Sequence, residues 1–275
     1  MKISVLAENV PLSDEFQCEH GLSLHIKTES RSILFDIGGS DIFCANAAAK
    51  DIDLGGVDLA ILSHGHYDHG GGLHHFFAVN DHAPVYVSRH AFGDYRIRLE
   101  DGETNYIGID PIHAENNRIR YVDKQLNLAE DMMIFSDVGH DYPRPSGNSR
   151  LLMGADCDYL PDDFRHEQNL LVTAKSGKRI LLAGCAHSGI VNILEHCRTL
   201  CGAYPDVVIG GFHLIDRGSS PEDLAELDAL ARRLLQTGAQ FYTCHCTGIP
   251  AFERLQLTMG GRVGYFACGA ELVLE

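Results

Sequence analysis

A cluster of histidines at the end of an apolar run constrains this sequence more than any other feature. Residues 63–70 read SHGHYDHG, after the apolar run VDLAIL at 57–62 and before a further GGL at 71–73. The apolar run predicts a buried strand, and the glycines predict a sharp turn towards a helix. Three imidazoles and one carboxylate therefore lie together at the end of a strand.

These side chains suit a metal site. Imidazole nitrogen and carboxylate oxygen bind zinc, manganese and iron. His64 and His66 flank a single glycine, so both rings can point at one ion. Asp68 and His69 can then face a second ion ~3.5–4 Å away, as in two-metal hydrolytic sites. A surface loop that happens to be rich in histidine is the alternative, but the preceding strand and following glycines favour the metal site.

The motif resembles that of the metallo-β-lactamase-fold superfamily. Within it, residues 62–73 are similar to the branch of dihydropterin-aminobenzene ribofuranosyl phosphate synthase-like proteins. The resemblance spans nearly the whole chain and is sharpest at 35–38, 62–73, 184–189, 210–214 and 244–248. It implies an α/β fold, a four-layer αββα sandwich, in a single domain over 1–275.

The composition of the chain argues against several classes of function. The 275 residues are 45% hydrophobic, with no apolar run near the ~18 residues of a membrane span. The formal charge of −16 argues against nucleic-acid and anionic-membrane partners. Nine cysteines without a disulfide rhythm, and a start, MKISVL, that lacks a signal-peptide layout, predict reduced thiols and a cytoplasmic location. Oligomeric state is not indicated.

Periodicity predicts alternating strands and helices, and therefore a layered α/β architecture. Strands are expected at 3–8, 23–28, 32–36, 53–62, 84–88, 169–173, 179–183, 206–209, 240–243, 262–266 and 271–274. Helices are expected at 40–50, 73–79, 190–200 with Ser188 as N-cap, 220–236 and 250–259. Between them, 90–165 is rich in Gly, Asn, Asp and Pro, which predicts a loop-rich insertion that covers the site and selects substrates.

Two further histidines complete a ligand set. His187 and His245 each follow a strand, in a turn of small residues before a helix, and strand ends in open α/β layers converge on one crevice. The resemblance implies that His64, His66 and His187 hold one metal ion. It implies that the second ion is held by Asp68, His69 and His245. We expect two divalent ions, zinc first, with manganese or iron as alternatives.

Two positions beside the ligands leave alternatives open. Where the commonest superfamily pattern has a bridging aspartate, this sequence has Cys185, which is either a thiolate ligand or a structural apolar residue. The resemblance places Asp36 behind the metal-binding turn, where it would fix the tautomer of a ligand histidine. A turn former or helix cap is the alternative for Asp36.

His213 follows an apolar strand and two glycines, so its ring can reach the crevice. We expect it to act with Asp68 in catalysis, by binding a phosphate or as a general acid, rather than as a required ligand. A packed or surface histidine is the alternative. Arg144 and Arg150 are further candidates for phosphate contacts. Surface positions are expected for His90, His113 and His140, and a core position for Cys197 and Cys201.

The expected function is metal-dependent chemistry on a phosphorylated small molecule. Hydrolysis is the default, because divalent cations lower the pKa of bound water towards ~7. The branch instead implies a synthase that joins a dihydropterin diphosphate to an aminobenzene ribofuranosyl phosphate, and residue spacing does not separate the two. A di-iron redox protein of the same fold is disfavoured because the sequence shows no flavin-binding segment. A metal-binding protein without catalysis is the remaining alternative.

Overall fold

Strands dominate the structure, a computed structural model that describes residues 1–155, 158–214 and 220–274. The strands are β1 (Lys2–Ala7), β2 (Ser23–Lys27), β3 (Ser32–Phe35), β4 (Leu59–Ile61), β5 (Val85–Ser88), β6 (Tyr95–Arg98), β7 (Thr104–Tyr106), β8 (Ile119–Val122), β9 (Gln125–Ala129), β10 (Met132–Phe135), β11 (Leu151–Ala155), β12 (Asp158–Pro161), β13 (Asn169–Thr173), β14 (Arg179–Leu182), β15 (Val207–Gly210), β16 (Gln240–Thr243), β17 (Val263–Tyr265) and β18 (Glu271–Val273). The α-helices are α1 (Ile42–Ala49), α2 (Tyr67–Gly70), α3 (Leu73–Val79), α4 (Ile190–Cys201), α5 (Pro221–Leu235) and α6 (Ile249–Met259).

Two seven-stranded sheets form the centre, with strand orders β18-β1-β2-β3-β4-β5-β8 and β17-β16-β15-β14-β13-β10-β9. Strands β3, β4 and β15 are buried at every position. Continuous apolar strands of this kind need a covering layer on both faces. The sequence of these strands therefore already requires a covering layer on each side of its sheet.

Three groups of buried side chains fill the spaces between layers. Ile26, Ile134 and Ile209 belong to the group that lies between the sheets. A second group joins the first sheet to α1 and α3, and a third joins the second sheet to α4, α5 and α6. The order is helix, sheet, sheet, helix, which confirms the predicted four-layer αββα sandwich.

Parallel pairing brings the functional segments to one edge. Strand β3 pairs in parallel with β4, and β14, β15 and β16 pair in parallel with one another. The carboxyl ends of parallel strands meet at one edge of a sheet. The segments after these five strands hold Asp36, the 63–70 motif, Cys185 with His187, His213 and His245.

The segment 90–165, expected to be a covering insertion, contains β6 to β12. Strand β8 extends the first sheet, and β9 and β10 extend the second. The other four strands form a small separate sheet of order β12-β11-β6-β7. Hydrogen bonding between short strands, rather than loop structure alone, thus organises much of this segment.

Two local predictions were wrong. The strand expected over 53–62 begins only at Leu59, because Asp53 accepts a hydrogen bond from the Gly55 amide and starts a short 3₁₀ turn. The predicted N-cap of α4, Ser188, does not cap it: the N-cap is Gly189, without a side-chain hydrogen bond. The amide of Ser188 instead donates to Glu167. In contrast, Ser220 and Asp223 form a complete capping box at α5.

None of the helices in the described residues combines the length and apolar character that crossing a membrane requires.

Gly210 provides a test of the close packing at the end of β15. A Cβ added there would lie 2.0 Å from the Ala183 carbonyl oxygen, and the backbone φ is 147°, which other residues rarely adopt. We expect Gly210→Ala to lower the free energy of unfolding by about 1–3 kcal/mol. The control is Gly261→Ala, where an added Cβ meets no atom within 4 Å, with an expected change within about 0.5 kcal/mol. Equal urea midpoints for both variants would contradict this packing.

Candidate metal centre

The turn after β4 places the first ligand candidates. An added Cβ at Gly65 would lie 2.5 Å from the Ala91 carbonyl oxygen, so only glycine fits between the two histidines. His66 is the extended residue before the single-turn helix α2, which carries Asp68 and His69 as buried side chains. Because the backbone changes from extended to helical at His66, the side chains before and after this point approach the same crevice from two directions.

Three imidazoles form the first group. The Nε2 atom of His64 lies 3.1 Å from Nδ1 of His66. The ring of His187 lies 5.0 Å from that of His64 and 5.1 Å from that of His66, centroid to centroid. The predicted first ligand set therefore comes together from β4 and β14, which belong to different sheets.

The second group joins Asp68, His69, His245 and Cys185, whose ligand atoms all lie within 4.8 Å of one another. Nε2 of His69 lies 3.2 Å from Nε2 of His245 and 3.1 Å from Sγ of Cys185. Oδ2 of Asp68 lies 3.2 Å from the same nitrogen of His245. Cys185 also belongs to a group with His64 and His187, so its sulfur lies between both sets.

Asp36 sets the tautomers of two histidines, as the resemblance implied. Its Oδ2 accepts a hydrogen bond from Nδ1 of His69 at 2.7 Å and another from the Ser63 hydroxyl at 2.7 Å. Because that hydroxyl has donated its hydrogen, it accepts from Nδ1 of His64 at 2.9 Å. His64 therefore presents an unprotonated Nε2 to the crevice, and His69, whose Nδ1 is held by Asp36, turns its Nε2 to the same side.

Two asparagines fix the tautomers of His187 and His245. Oδ1 of Asn148 lies 2.9 Å from Nδ1 of His187, and its Nδ2 donates to the carbonyl of the same histidine. Oδ1 of Asn9 lies 2.8 Å from Nδ1 of His245, and its Nδ2 lies 3.2 Å from Nδ1 of His20. An amide oxygen only accepts, so both Nδ1 atoms carry hydrogen and both Nε2 atoms carry lone pairs.

The donor set fits a cation. Nε2 of His69 and Nε2 of His245 lie 3.2 Å apart, and Nε2 of His245 lies 3.2 Å from Oδ2 of Asp68, although the Nδ1 hydrogens of both rings are already donated elsewhere. Nε2 of His187 has no hydrogen-bond partner among the described residues although it is buried. Buried acceptors that face acceptors are costly unless a positive charge lies among them. A divalent metal ion would supply that charge, and nitrogen, oxygen and sulfur atoms are ligands that suit zinc, manganese or iron.

The pKa shifts of these side chains agree with a cation site. Burial, reinforced by neighbouring imidazoles, lowers the pKa of His64 and His187 well below the ordinary value. Burial would also lower the pKa of His69, but the charges of Asp36 and Asp68 raise it to about 9. Burial opposes ionisation of Asp68, yet the charge of His69 and a hydrogen bond from His20 hold its pKa well below the usual range. Burial thus keeps His64 and His187 neutral, whereas Asp36 and Asp68 favour positive charge on the side of His69.

Two buried glutamates, which the sequence analysis did not identify, hold the histidine turns. Oε1 of Glu8 accepts the backbone N–H of His245 at 2.6 Å, and Oε1 of Glu167 accepts that of His187 at 2.6 Å. Both ligand turns of the second sheet are thus held at their backbone by a buried carboxylate. The signal in the sequence was weak: Glu8 follows β1, which ends at the same edge of the first sheet.

A third group near the crevice, His66, Asp162 and His166, differs in character. Nε2 of His166 lies 3.0 Å from Oδ2 of Asp162, and its Nδ1 accepts the N–H of Gly65 at 2.9 Å. Donors face acceptors at both ring nitrogens of His166, so hydrogen bonds satisfy this imidazole without a metal ion. It holds the turn between His64 and His66, and ties the segment 90–165 to that turn.

Two sulfurs and an imidazole lie behind the second set. Cys185, Cys246 and His213 place their ligand atoms within 4.8 Å of one another. The ring of His213 lies 4.3 Å from that of His187, and its Nδ1 is buried without a hydrogen-bond partner in the described residues. His213 is thus beside both groups, as the sequence predicted, and its role as ligand or substrate contact stays a prediction.

The crevice over these groups has a volume of about 760 Å³. Arg150 lines it, whereas Arg144 lies outside it, over the ring of Phe164. His20, another residue that sequence analysis missed, lies at its edge, with its side chain 50% exposed and Nε2 3.3 Å from Oδ2 of Asp68. The further lining residues include Tyr67, Ile97, Tyr106, Ile107, Leu151 and Leu214.

The remaining sequence candidates lie elsewhere. His90 and His140 are exposed, and His113 is half-buried beside Phe77. None of these three belongs to a metal-capable group within the described residues. Cys197 is part of the core beneath α4, and Cys201 packs against it.

Comparison with known proteins agrees with this geometry. The model of the metallo-beta-lactamase superfamily matches residues 18–234. The chain belongs to the metallo-beta-lactamase superfamily. The resemblance predicted from the histidine motif is thereby confirmed.

Relatives within the superfamily extend over almost the whole chain. An uncharacterised protein of Methanocaldococcus jannaschii is 27% identical over 259 residues, 92% of this chain and 93% of that protein. From the same organism, a protein named 7,8-dihydropterin-6-methyl-4-(beta-D-ribofuranosyl)-aminobenzene-5'-phosphate synthase is 26% identical over 268 residues, 91% of this chain and 89% of its own. The crystal structure of Tm1679, described as a metal-dependent hydrolase of the beta-lactamase superfamily, matches with a TM-score of 0.83 at 26% identity, covering 100% of this chain and 99% of that one.

Asp36 allows a test of ligand orientation in this superfamily member. Asp36→Asn retains the shape but loses the charge that holds His69, so we expect metal affinity to fall ~10–100-fold. Isothermal titration of the metal-free protein with zinc measures this. The control is Asp58→Asn, which alters an aspartate that accepts the amide of Ser32 at the other end of β3. If both variants bind zinc like the unchanged protein, Asp36 is only a turn residue.

Proposed function

We propose that this protein is a dinuclear metal-dependent hydrolase that acts on a phosphorylated small molecule. The observation that carries the proposal is the convergence of His64, His69, His187 and His245 with Asp68 and Cys185 at the base of an open crevice. The matching length and 26% identity to a metal-dependent hydrolase of the same superfamily support it. The net charge of −16 favours a small substrate over nucleic acid.

The two ligand sets have different environments. His64, His66 and His187 would hold one ion as neutral ligands, and Asp68, His69 and His245 would hold the other with a carboxylate. Cys185, which lies in reach of both sets, would take the place of a bridging carboxylate. When bound, divalent cations lower the pKa of water and neutralise charge on phosphoryl oxygens.

The protein's own side chains have the tasks of orientation and proton transfer. Asp68 lies beside the second set, and His213 and Arg150 line the crevice. In this proposal His213 donates a hydrogen bond to a phosphate on the substrate, and the charge of Arg150 favours the same anion.

A second candidate function has one observation in its favour. The 26% identity to the dihydropterin synthase over nine-tenths of both chains favours a transferase that joins a pterin diphosphate to an aminobenzene ribofuranosyl phosphate. The metal centre would then hold the diphosphate leaving group. Reactions in water enriched in heavy oxygen separate the two, because hydrolysis incorporates solvent oxygen into a product and the synthase reaction does not.

His66→Ala tests the metal centre. We expect the unchanged protein to bind up to two transition-metal ions per chain and to hydrolyse at least one member of a phosphoester panel. The variant should lose most metal and all measurable hydrolysis while it stays folded, because one imidazole of the first set is gone. Elemental analysis and circular dichroism measure both properties. The control His90→Ala, at an exposed histidine outside the groups, should retain metal and activity; full metal in His66→Ala would refute the assignment.

His213→Ala tests substrate contact against metal ligation. We expect this variant to keep its metal but to lose one to two orders of magnitude in kcat/KM, as expected for the loss of a hydrogen bond to a charged group of ~1.5–3 kcal/mol. Steady-state kinetics and elemental analysis on the same preparation measure both. Loss of metal would make His213 a ligand, and unchanged kinetics would make it structural.

A further inference from the structure

Two cysteines lie together at the base of the crevice. Cys185 follows β14 and Cys246 follows β16, the two strands that flank β15 in parallel. Their sulfurs, with a ring nitrogen of His213, lie within 4.8 Å of one another. Sγ of Cys246 also lies 3.7 Å from the carbonyl oxygen of Cys185, so the side chain of one lies against the backbone of the other.

The backbone around Cys246 is shaped to accommodate its sulfur. A Cβ added at Gly211 would lie 2.3 Å from that sulfur, so the glycine leaves the space that the thiol fills. The N–H of His213 donates to the same sulfur at 3.2 Å. His213 adopts a φ of 50°, a left-handed conformation that is unfavourable for residues other than glycine. Cys246 has no role in the hydrolysis proposed above, so that reaction does not account for this arrangement.

Both thiols can meet a small reagent. Cys185 and Cys246 line the crevice that opens over the metal groups. All eight cysteines in the described residues are free thiols. The neighbours Cys197 and Cys201 lie instead on α4, packed into the core outside the crevice. A reagent that enters the crevice therefore reaches the first pair before the second.

We propose that Cys185 and Cys246 form a reversible disulfide when a hydroperoxide enters the crevice, and that this bond inactivates the metal centre. The sulfur of Cys246 attacks one peroxide oxygen, the O–O bond breaks, and a sulfenic acid and water form. The sulfur of Cys185 then attacks the sulfenic sulfur and expels its oxygen as a second water. Two thiols are oxidised and one hydrogen peroxide is reduced to two waters.

The effect on the metal centre follows from the position of Cys185. Its sulfur lies 3.1 Å from Nε2 of His69 and within reach of both ligand sets. A disulfide needs the sulfurs about 2.05 Å apart, and a Cys185 sulfur bonded to Cys246 no longer offers a thiolate to the metal ions. The loss of metal affinity rests on the metal centre proposed above, whereas formation of the sulfur–sulfur bond does not.

Mass spectrometry tests the bond by itself. The protein as isolated, and the same protein after treatment with a chelator, are exposed to a small excess of hydrogen peroxide, blocked with a thiol reagent and digested. We expect a cross-linked peptide pair that contains Cys185 and Cys246 and disappears on treatment with dithiothreitol. Cys185→Ser and Cys246→Ser should each abolish it. Cys197 lies in the same peptide as Cys185, and Cys244 lies in the same peptide as Cys246. The matched controls Cys197→Ser and Cys244→Ser should therefore retain the cross-link.

Zinc titration tests the consequence. We expect the oxidised protein to bind zinc at least ~10-fold more weakly than the reduced protein, with recovery after dithiothreitol, because a group beside both sets has been removed. Absence of the cross-link, or a cross-link that survives in Cys246→Ser, overturns the proposal. A cross-link with unchanged zinc affinity overturns the inactivation. If the reduced protein binds no zinc at all, the proposed function fails while the peptide measurement still decides the bond.

Discussion

The structure depends on one electrostatic constraint: several nitrogen, oxygen and sulfur atoms that can bind a cation converge at one buried place. Such a cluster is stable only if a cation compensates it or if the surrounding fold is strong enough to hold it together. Here the carboxylate of Asp36 holds two imidazoles through Nδ1, one directly and one through Ser63. Asn9 and Asn148 hold the other two. The direction of each ring is therefore decided behind the crevice, and its lone pair points into it.

Both sheets contribute side chains to this centre: the 63–70 turn follows β4 of the first sheet, and His187 and His245 follow β14 and β16 of the second. A buried glutamate accepts the backbone N–H of each histidine of the second sheet, Glu8 for His245 and Glu167 for His187. Short side chains and glycines at the strand ends let the two sheets approach: a Cβ added at Gly184 would lie 2.0 Å from the Ser63 hydroxyl oxygen. The position of the metal centre between the sheets is thus a consequence of how closely the sheets pack at this edge.

The group of His66, Asp162 and His166 shows why residue type alone does not define a metal site. It has the same chemistry as the ligand sets, but the ring of His166 donates to Asp162 on one side and accepts from Gly65 on the other. Satisfied hydrogen bonds make it a support for the ligand turn. The distinction rests on the direction of hydrogens, which the local sequence does not reveal.

The sequence by itself determined the layered fold, the strand-end position of the histidines and the family, because apolar runs, glycines and the 63–70 motif are local signals. It also predicted the position of Asp36, through resemblance. Only the tertiary structure decided that Asn9, Glu8, His20 and Asp162 serve the centre, and that Cys246 lies against Cys185. These partners are up to 237 residues apart from what they hold. Which of these residues come into contact depends on sheet order and packing. Neither can be predicted from a single polar residue in a local sequence pattern.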